Sequence, residues 1–225
     1  MAPIVTGNTK LGPGVKNYAA VDQGNYYTFT NATVGTGIVS GVVTSQADTT
    51  PLLLIKNNNA VSSGINIYMD KVKLVVSVVG VGHTIPYMSL KIDRSQTTTR
   101  YTSGGTAITP AASHTGAIGG GGATGNAQVY FGAITAAAAG SAALLASERT
   151  KGAIEVVLDS FIFDFGPAEM QPQNGLVDNS TTISHGYFPW PGVVIAPQTT
   201  MLMHYWGASM STGTTFFVNG GYWEA

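Results

Sequence analysis

Residues 71–79 read Lys-Val-Lys-Leu-Val-Val-Ser-Val-Val. Val72, Leu74, Val76 and Val78 fall on one side of an extended chain and Lys71, Lys73 and Ser77 on the other, which is the period-two pattern of a half-buried strand. Just upstream, Ile65, Ile67 and Met69 have the opposite parity. The apolar face therefore changes sides near Asp70, as it does at a bulge or where a strand passes from one sheet to another. Downstream of a turn at Gly80–His83, Met88, Leu90 and Ile92 alternate with Tyr87, Ser89 and Lys91. The two runs are expected to pair as an antiparallel hairpin.

Outward from this pair the same punctuation recurs. Short apolar runs bounded by Gly, Asn, Thr or Pro occupy Tyr26–Thr30, Gly37–Val43, Leu52–Lys56, Gln128–Ile134, Val193–Ile195, Met201–Trp206 and Thr214–Trp223. Ile154, Val156 and Leu158 alternate with Glu155 and Asp159, and Phe161, Phe163 and Phe165 follow, so one long strand, or two divided near Ser160, is expected. Ala136–Glu148, rich in Ala and Leu, is the one stretch with helix propensity. Thr97–Gly125 and Gly166–Ser180 read as long loops. About ten short strands with at most one short helix imply an all-β, two-sheet antiparallel jelly roll or β-sandwich. Residues 1–24 read as an extended N-terminal arm and 25–225 as a single domain.

Composition narrows the function. Only 9% of the 225 residues are charged, against about 25% in ordinary soluble domains. Ten basic and eleven acidic residues are scattered along the chain, so no stripe exists to neutralise successive phosphates, and no nucleic-acid partner is expected. The absence of cysteine excludes disulfides and thiolate metal sites. No run approaches the roughly 20 apolar residues of a helical membrane span, and Met1–Lys10 lacks the features of a secretory leader, so no membrane partner is expected. A surface of Ser, Thr and Asn loses little side-chain entropy when a neighbour covers it, which suits packing into an assembly.

Catalytic chemistry finds little support. His83, His114, His185 and His204 are isolated, with no HxH or HExxH pair, so no catalytic residue, metal or other cofactor is expected. His204 reads as a core or interface residue, and Gly119–Gly122 as a flexible tip. Glu155 and Asp159 sit at strand spacing and read as solvated charges. Asn31 with Thr33 and Asn179 with Thr181 match the glycosylation sequon, which carries little weight without a leader. Tyr187, Phe188 and Trp190, between Gly186 and Pro191, are the candidate exposed aromatic patch and the basis of an alternative carbohydrate-binding reading. Met201, Met203 and Tyr205 lie opposite Leu202, His204 and Trp206 on a strand apolar on both faces. They are the candidate subunit interface.

Leu52–Asn59 (LLLIKNNN), Asn66–Leu74 (NIYMDKVKL), Arg100–Pro110 (RYTSGGTAITP) and Val193–Glu224 with its near-terminal YWE resemble, in style over most of the chain, jelly-roll virion proteins of tailed bacteriophages, in particular head decoration or cement proteins. The resemblance implies a trimeric virion component that partners the major capsid protein or other virion proteins. It carries no active-site residues. A tail or fibre module that binds a receptor or carbohydrate, and a shell-forming capsid subunit, remain the alternatives.

Overall fold

The computed structural model describes residues 25–82, 85–96, 99–113, 125–138, 142–165 and 183–225. It is all-β. Fourteen strands are assigned among the described residues: β1 (Tyr26–Thr30), β2 (Ile38–Val39), β3 (Leu53–Asn57), β4 (Ile67–Val78), β5 (Pro86–Asp93), β6 (Tyr101–Ile108), β7 (Ala111–Ala112), β8 (Ala127–Ala136), β9 (Ala142–Arg149), β10 (Ser160–Asp164), β11 (His185–Pro189), β12 (Val194–Ile195), β13 (Thr200–Gly207) and β14 (Thr215–Glu224). One sheet has the order β11-β10-β4-β14-β1-β7, with β12 also paired to β4 and β2 to β14. The second runs β6-β8-β3-β13-β5-β9. All pairings are antiparallel except β10 with β11, which is parallel.

The alternation in residues 71–79 decides burial as expected up to Val76: Val72, Leu74 and Val76 face the inter-sheet core, and so do Ile67 and Met69 from the opposite parity, whereas Val78, expected on the same face, is exposed at the end of the strand. The parity change is a bulge, since Gly221 faces Lys71 while the next residue, Tyr222, faces Met69 and leaves Asp70 as the extra residue. From the second sheet, Leu53, Ile55, Leu90, Phe131, Met201 and Met203 meet these side chains. Phe216 joins the layers by edge-on contacts to Phe131 and Tyr205.

Several expectations are corrected. Residues 71–79 and 87–92 do not form a hairpin: β4 pairs with β14 and β10, and β5 pairs with β13 and β9 in the other sheet. No helix forms among the described residues of Ala136–Glu148. Residues 142–149 are the edge strand β9, because ladder bonds to β5 outweigh an Ala-rich propensity of a few tenths of a kcal/mol per residue. Thr97–Gly125 is not wholly a loop, since it holds β6 and β7. Only Ser160–Asp164 of the expected strand beyond residue 154 lies in a ladder. The N-terminal arm, Gly166–Ser180, Gly119–Gly122, His83, His114 and Asn179 lie outside the described residues.

Candidate interaction surface

The segment between β9 and β10 is turned inside out. Its charged residues Lys151, Glu155 and Asp159 are each at most 1% exposed, while Ile154, Val157 and Leu158 point to solvent. This overturns the reading of Glu155 and Asp159 as solvated charges. Strand parity does not apply here, because residues 156–159 form a turn in which the Asp159 amide donates to the Val156 carbonyl.

The buried charges anchor the segment. Lys151 Nζ lies 2.8 Å from Asp159 Oδ2. The same carboxylate accepts the Val156 amide at 2.7 Å and, through Oδ1, the Ser184 amide at 2.7 Å. Glu155 Oε2 accepts the Tyr205 hydroxyl at 2.7 Å and the Thr214 hydroxyl at 3.2 Å. Thr214 in turn accepts the Gly80 amide at 3.1 Å. Burial pushes the Glu155 carboxyl up to about 7 against the pull of its two hydroxyl donors. Four pieces of chain are thus tied together beneath one end of the sandwich.

Above these anchors the described residues form an apolar pole. Val78 and Val39 flank Thr215 in the ladder from either side, and Leu158 continues the band, its amide donating to the Val76 carbonyl. Val42 and Val81 extend it toward the second sheet through bonds near Gly207 and Ser211, and Ile183 adjoins the Asp159 anchor. With Ile154 and Val157, eight of the thirteen exposed large hydrophobic residues among the described residues gather at this end. Every charged side chain in its segments, 38–43, 78–82, 150–159, 183–184 and 207–215, is one of the three buried ones. Exposed Arg149 and His185 stand at the rim.

Leu158 departs furthest from local preference. Its φ of 74° places a leucine in the left-handed region, which a type II turn normally gives to glycine or asparagine and which costs an L-residue roughly 1–2 kcal/mol. Its side chain is 55% exposed, so core packing within this chain does not offset that cost.

The expected interface on β13 is corrected. Met201, Met203 and Tyr205 are at most 2% exposed and lie in the core between the sheets. The opposite face of β13 is covered by the chain itself. Leu202 packs with Leu54, Ile134 and Ala136, and His204 lies under the 43–52 segment, where Asp48 binds Lys91 at 3.2 Å and Arg100 at 3.0 Å. Burial first, and the Lys91 charge second, draw His204 down to about 4. The expected aromatic patch is corrected for two of its three members. Phe188 and Trp190 are buried against Phe163, whereas Tyr187 is exposed and its hydroxyl donates to Asp164. Asn31 of the first sequon is a buried bracket, its amide donating to Thr36 O and its carbonyl accepting from the Val218 amide.

Ser160 Oγ lies 2.7 Å from Nδ1 of exposed His185, but the acid beside this pair, Asp159, is committed to Lys151 and Ser184. Among the described residues no group of three or more His, Asp or Glu is placed to hold a metal. No family model, curated protein or solved structure matches the chain.

Proposed function

We propose that this protein is a non-enzymatic structural subunit of a virus particle, a β-sandwich that packs as a homo-oligomer on a phage head and cements it. The observation that supports this best is the pole at one end of the sandwich, where charged side chains are turned inward and apolar ones outward. A catalytic or small-ligand site concentrates convergent polar groups in a concavity. This end does the reverse, presenting an apolar centre with a sparse polar rim, the anatomy of a protein–protein interface. The low overall charge and the resemblance to decoration proteins point the same way, and three-fold symmetry follows from the resemblance. Mass-spectrometric quantification of purified particles tests the reading. Many copies per particle are expected, and absence from every particle fraction overturns it.

A second reading, carbohydrate binding by a tail or fibre module, is favoured by one feature. On the face of the first sheet away from the core, Tyr68 and Trp223 sit opposite each other in the ladder, stacked at 5.7 Å and only half-buried. Glycan-array binding that is lost in Trp223→Ala supports this alternative, and no binding on the array removes it.

A further inference from the structure

We propose that Lys151 and Asp159 are the two halves of an intramolecular amide cross-link, which the folded chain forms by condensing the lysine amine with the aspartate carboxyl beside the acid Glu155. The chemistry goes beyond the assembly reading and stands or falls without it.

The reacting groups are already in contact and dry. Lys151 Nζ is 2.8 Å from Asp159 Oδ2, and both side chains are fully buried. Lysine and aspartate are seldom buried completely, and holding both as ions away from water is costly even when they are paired. One proton passed across this contact leaves a neutral amine, which is nucleophilic, facing a neutral carboxyl, which is electrophilic. Groups held together in this way react with effective molarities of about 10⁵ M or more. The ion pair of Lys91 with Asp48 lacks this seclusion, since its two side chains are 16% and 24% exposed, and no condensation is expected there.

The surroundings supply what the addition step needs. As Nζ bonds to the Asp159 carboxyl carbon, negative charge gathers on Oδ1, where the Ser184 amide donates at 2.7 Å and the Ser184 hydroxyl at 3.3 Å. Fixed donors aimed at a developing oxyanion are a large aid to such a step. Oδ2, on the lysine side with the Val156 amide at 2.7 Å, leaves as water. Glu155 is 1% exposed, and the charges of both Asp159 and Lys151 act on its carboxyl. Burial raises that carboxyl to about 7, so it has a proton to lend to the departing oxygen and recovers one from the nitrogen. The C–N bond forms and the C–O bond breaks. Ammonium and carboxylate together become one amide and one water, with no oxidant, no reductant and no change in net charge. Exclusion of solvent then protects the amide from hydrolysis.

Intact-mass spectrometry of the purified full chain tests the proposal, with a cooperative urea transition as the fold control. Folded wild type is expected to weigh one water less than its sequence. Trypsin is expected not to cut after Lys151, so that the C-terminal peptide begins at Thr150 rather than at Gly152, and its fragment spectra should show no breaks between residues 151 and 159. Lys151→Arg, which keeps a cation beside Asp159 but has no amine to condense, is expected at full sequence mass, and so is Glu155→Gln. Full mass with ordinary cleavage after Lys151 in folded wild type overturns the proposal. A chain short of one water that trypsin still cuts after Lys151 carries a dehydrated residue of another kind, such as a succinimide, and overturns it too. A link that forms as completely in Glu155→Gln as in wild type overturns the part assigned to Glu155. Wild type decides the existence of the bond by itself, so that answer stands even where a variant fails its urea control.

Discussion

Two buried groups of opposite sign give opposing pH dependences to the stability of this protein. The Glu155 carboxyl is raised from 4.5 to about 7 and the His204 imidazole is lowered from 6.5 to about 4, burial being the first cause of both. Folded Glu155 holds its proton more tightly than the unfolded chain does, so its contribution is present below pH 4.5 and lost as pH rises through 7. Folded His204 resists protonation, so its contribution is present above pH 6.5 and lost as pH falls through 4. Each is worth about 3 kcal/mol at its limit. The losses run in opposite directions over overlapping ranges, so these two contributions largely cancel between pH 4 and 8. Glu155→Gln is expected to leave a decline toward acid, and His204→Leu a decline toward alkali, in urea midpoints measured across that range. Parallel pH profiles for wild type and both variants would remove these residues from the response. The sequence reading placed His204 in a core or interface, where it is indeed buried, but the Glu155 environment was not legible in it. Alternation with Ile154 and Val156 placed Glu155 on a wet strand face, whereas its partners Tyr205 and Thr214 lie 50 and 59 residues away. Lys151 tests the same cluster without titration: Lys151→Met leaves Asp159 charged and buried, and a loss of about 3–5 kcal/mol in unfolding free energy is expected.

At the scale of the strand, periodicity reported the face and was silent about the neighbour. Val72, Leu74 and Val76 of β4 were readable, and a bulge was one of two readings of the parity change at Asp70, because burial of one face imposes parity; Val78, at the end of the strand, escapes that face. Its pairing with β5 was not, since two well-patterned strands separated by a short connection can lie in different sheets of a sandwich. In β9 a helix-favouring composition yields to an available edge. What the pattern left out of β14 is the function of its glycines. Gly220 faces Phe29 across the ladder, and a β-carbon on it would come within 2.2 Å of the Phe29 ring, itself only 1% exposed. Gly221 gives Tyr26 the same room, which lets its hydroxyl reach Asp70 at 2.7 Å. Aromatic rings laid over cross-strand glycines are a known stabilising device in sheets. Gly220→Ala is therefore expected to cost about 1–3 kcal/mol by overpacking. In a double-mutant cycle with Phe29→Leu, part of that cost should be recovered, because the smaller side chain clears the new methyl group. Additive losses would show that the ring is not what the glycine accommodates.

For the whole molecule, the decisive contacts join distant parts of the chain. The second sheet takes its strands from residues 53–207, so all of it precedes β14. The first sheet cannot close until β14 inserts between β4 and β1, two strands that do not otherwise touch in the ladder. β14 also brings Phe216, Val218 and Tyr222 into the core at no more than 1% exposure, and Glu224 accepts the Asn126 amide at 2.7 Å. A chain ending at residue 214 thus keeps every strand of one sheet and loses the centre of the other, taking Phe216 from Phe131 and removing Val218 and Tyr222 from the shared core. Collapse without specific inter-sheet packing gives compact states that retain secondary structure and expose apolar surface. Deletion of 215–225 is expected to preserve much of the far-UV strand signal, to bind a hydrophobic dye and to unfold in urea without a sigmoidal transition. A truncated chain that unfolds cooperatively with the wild-type m-value, which scales with the surface exposed on unfolding, would show that the second sheet and its loops form a self-sufficient unit and that β14 is an accessory to the core rather than its keystone.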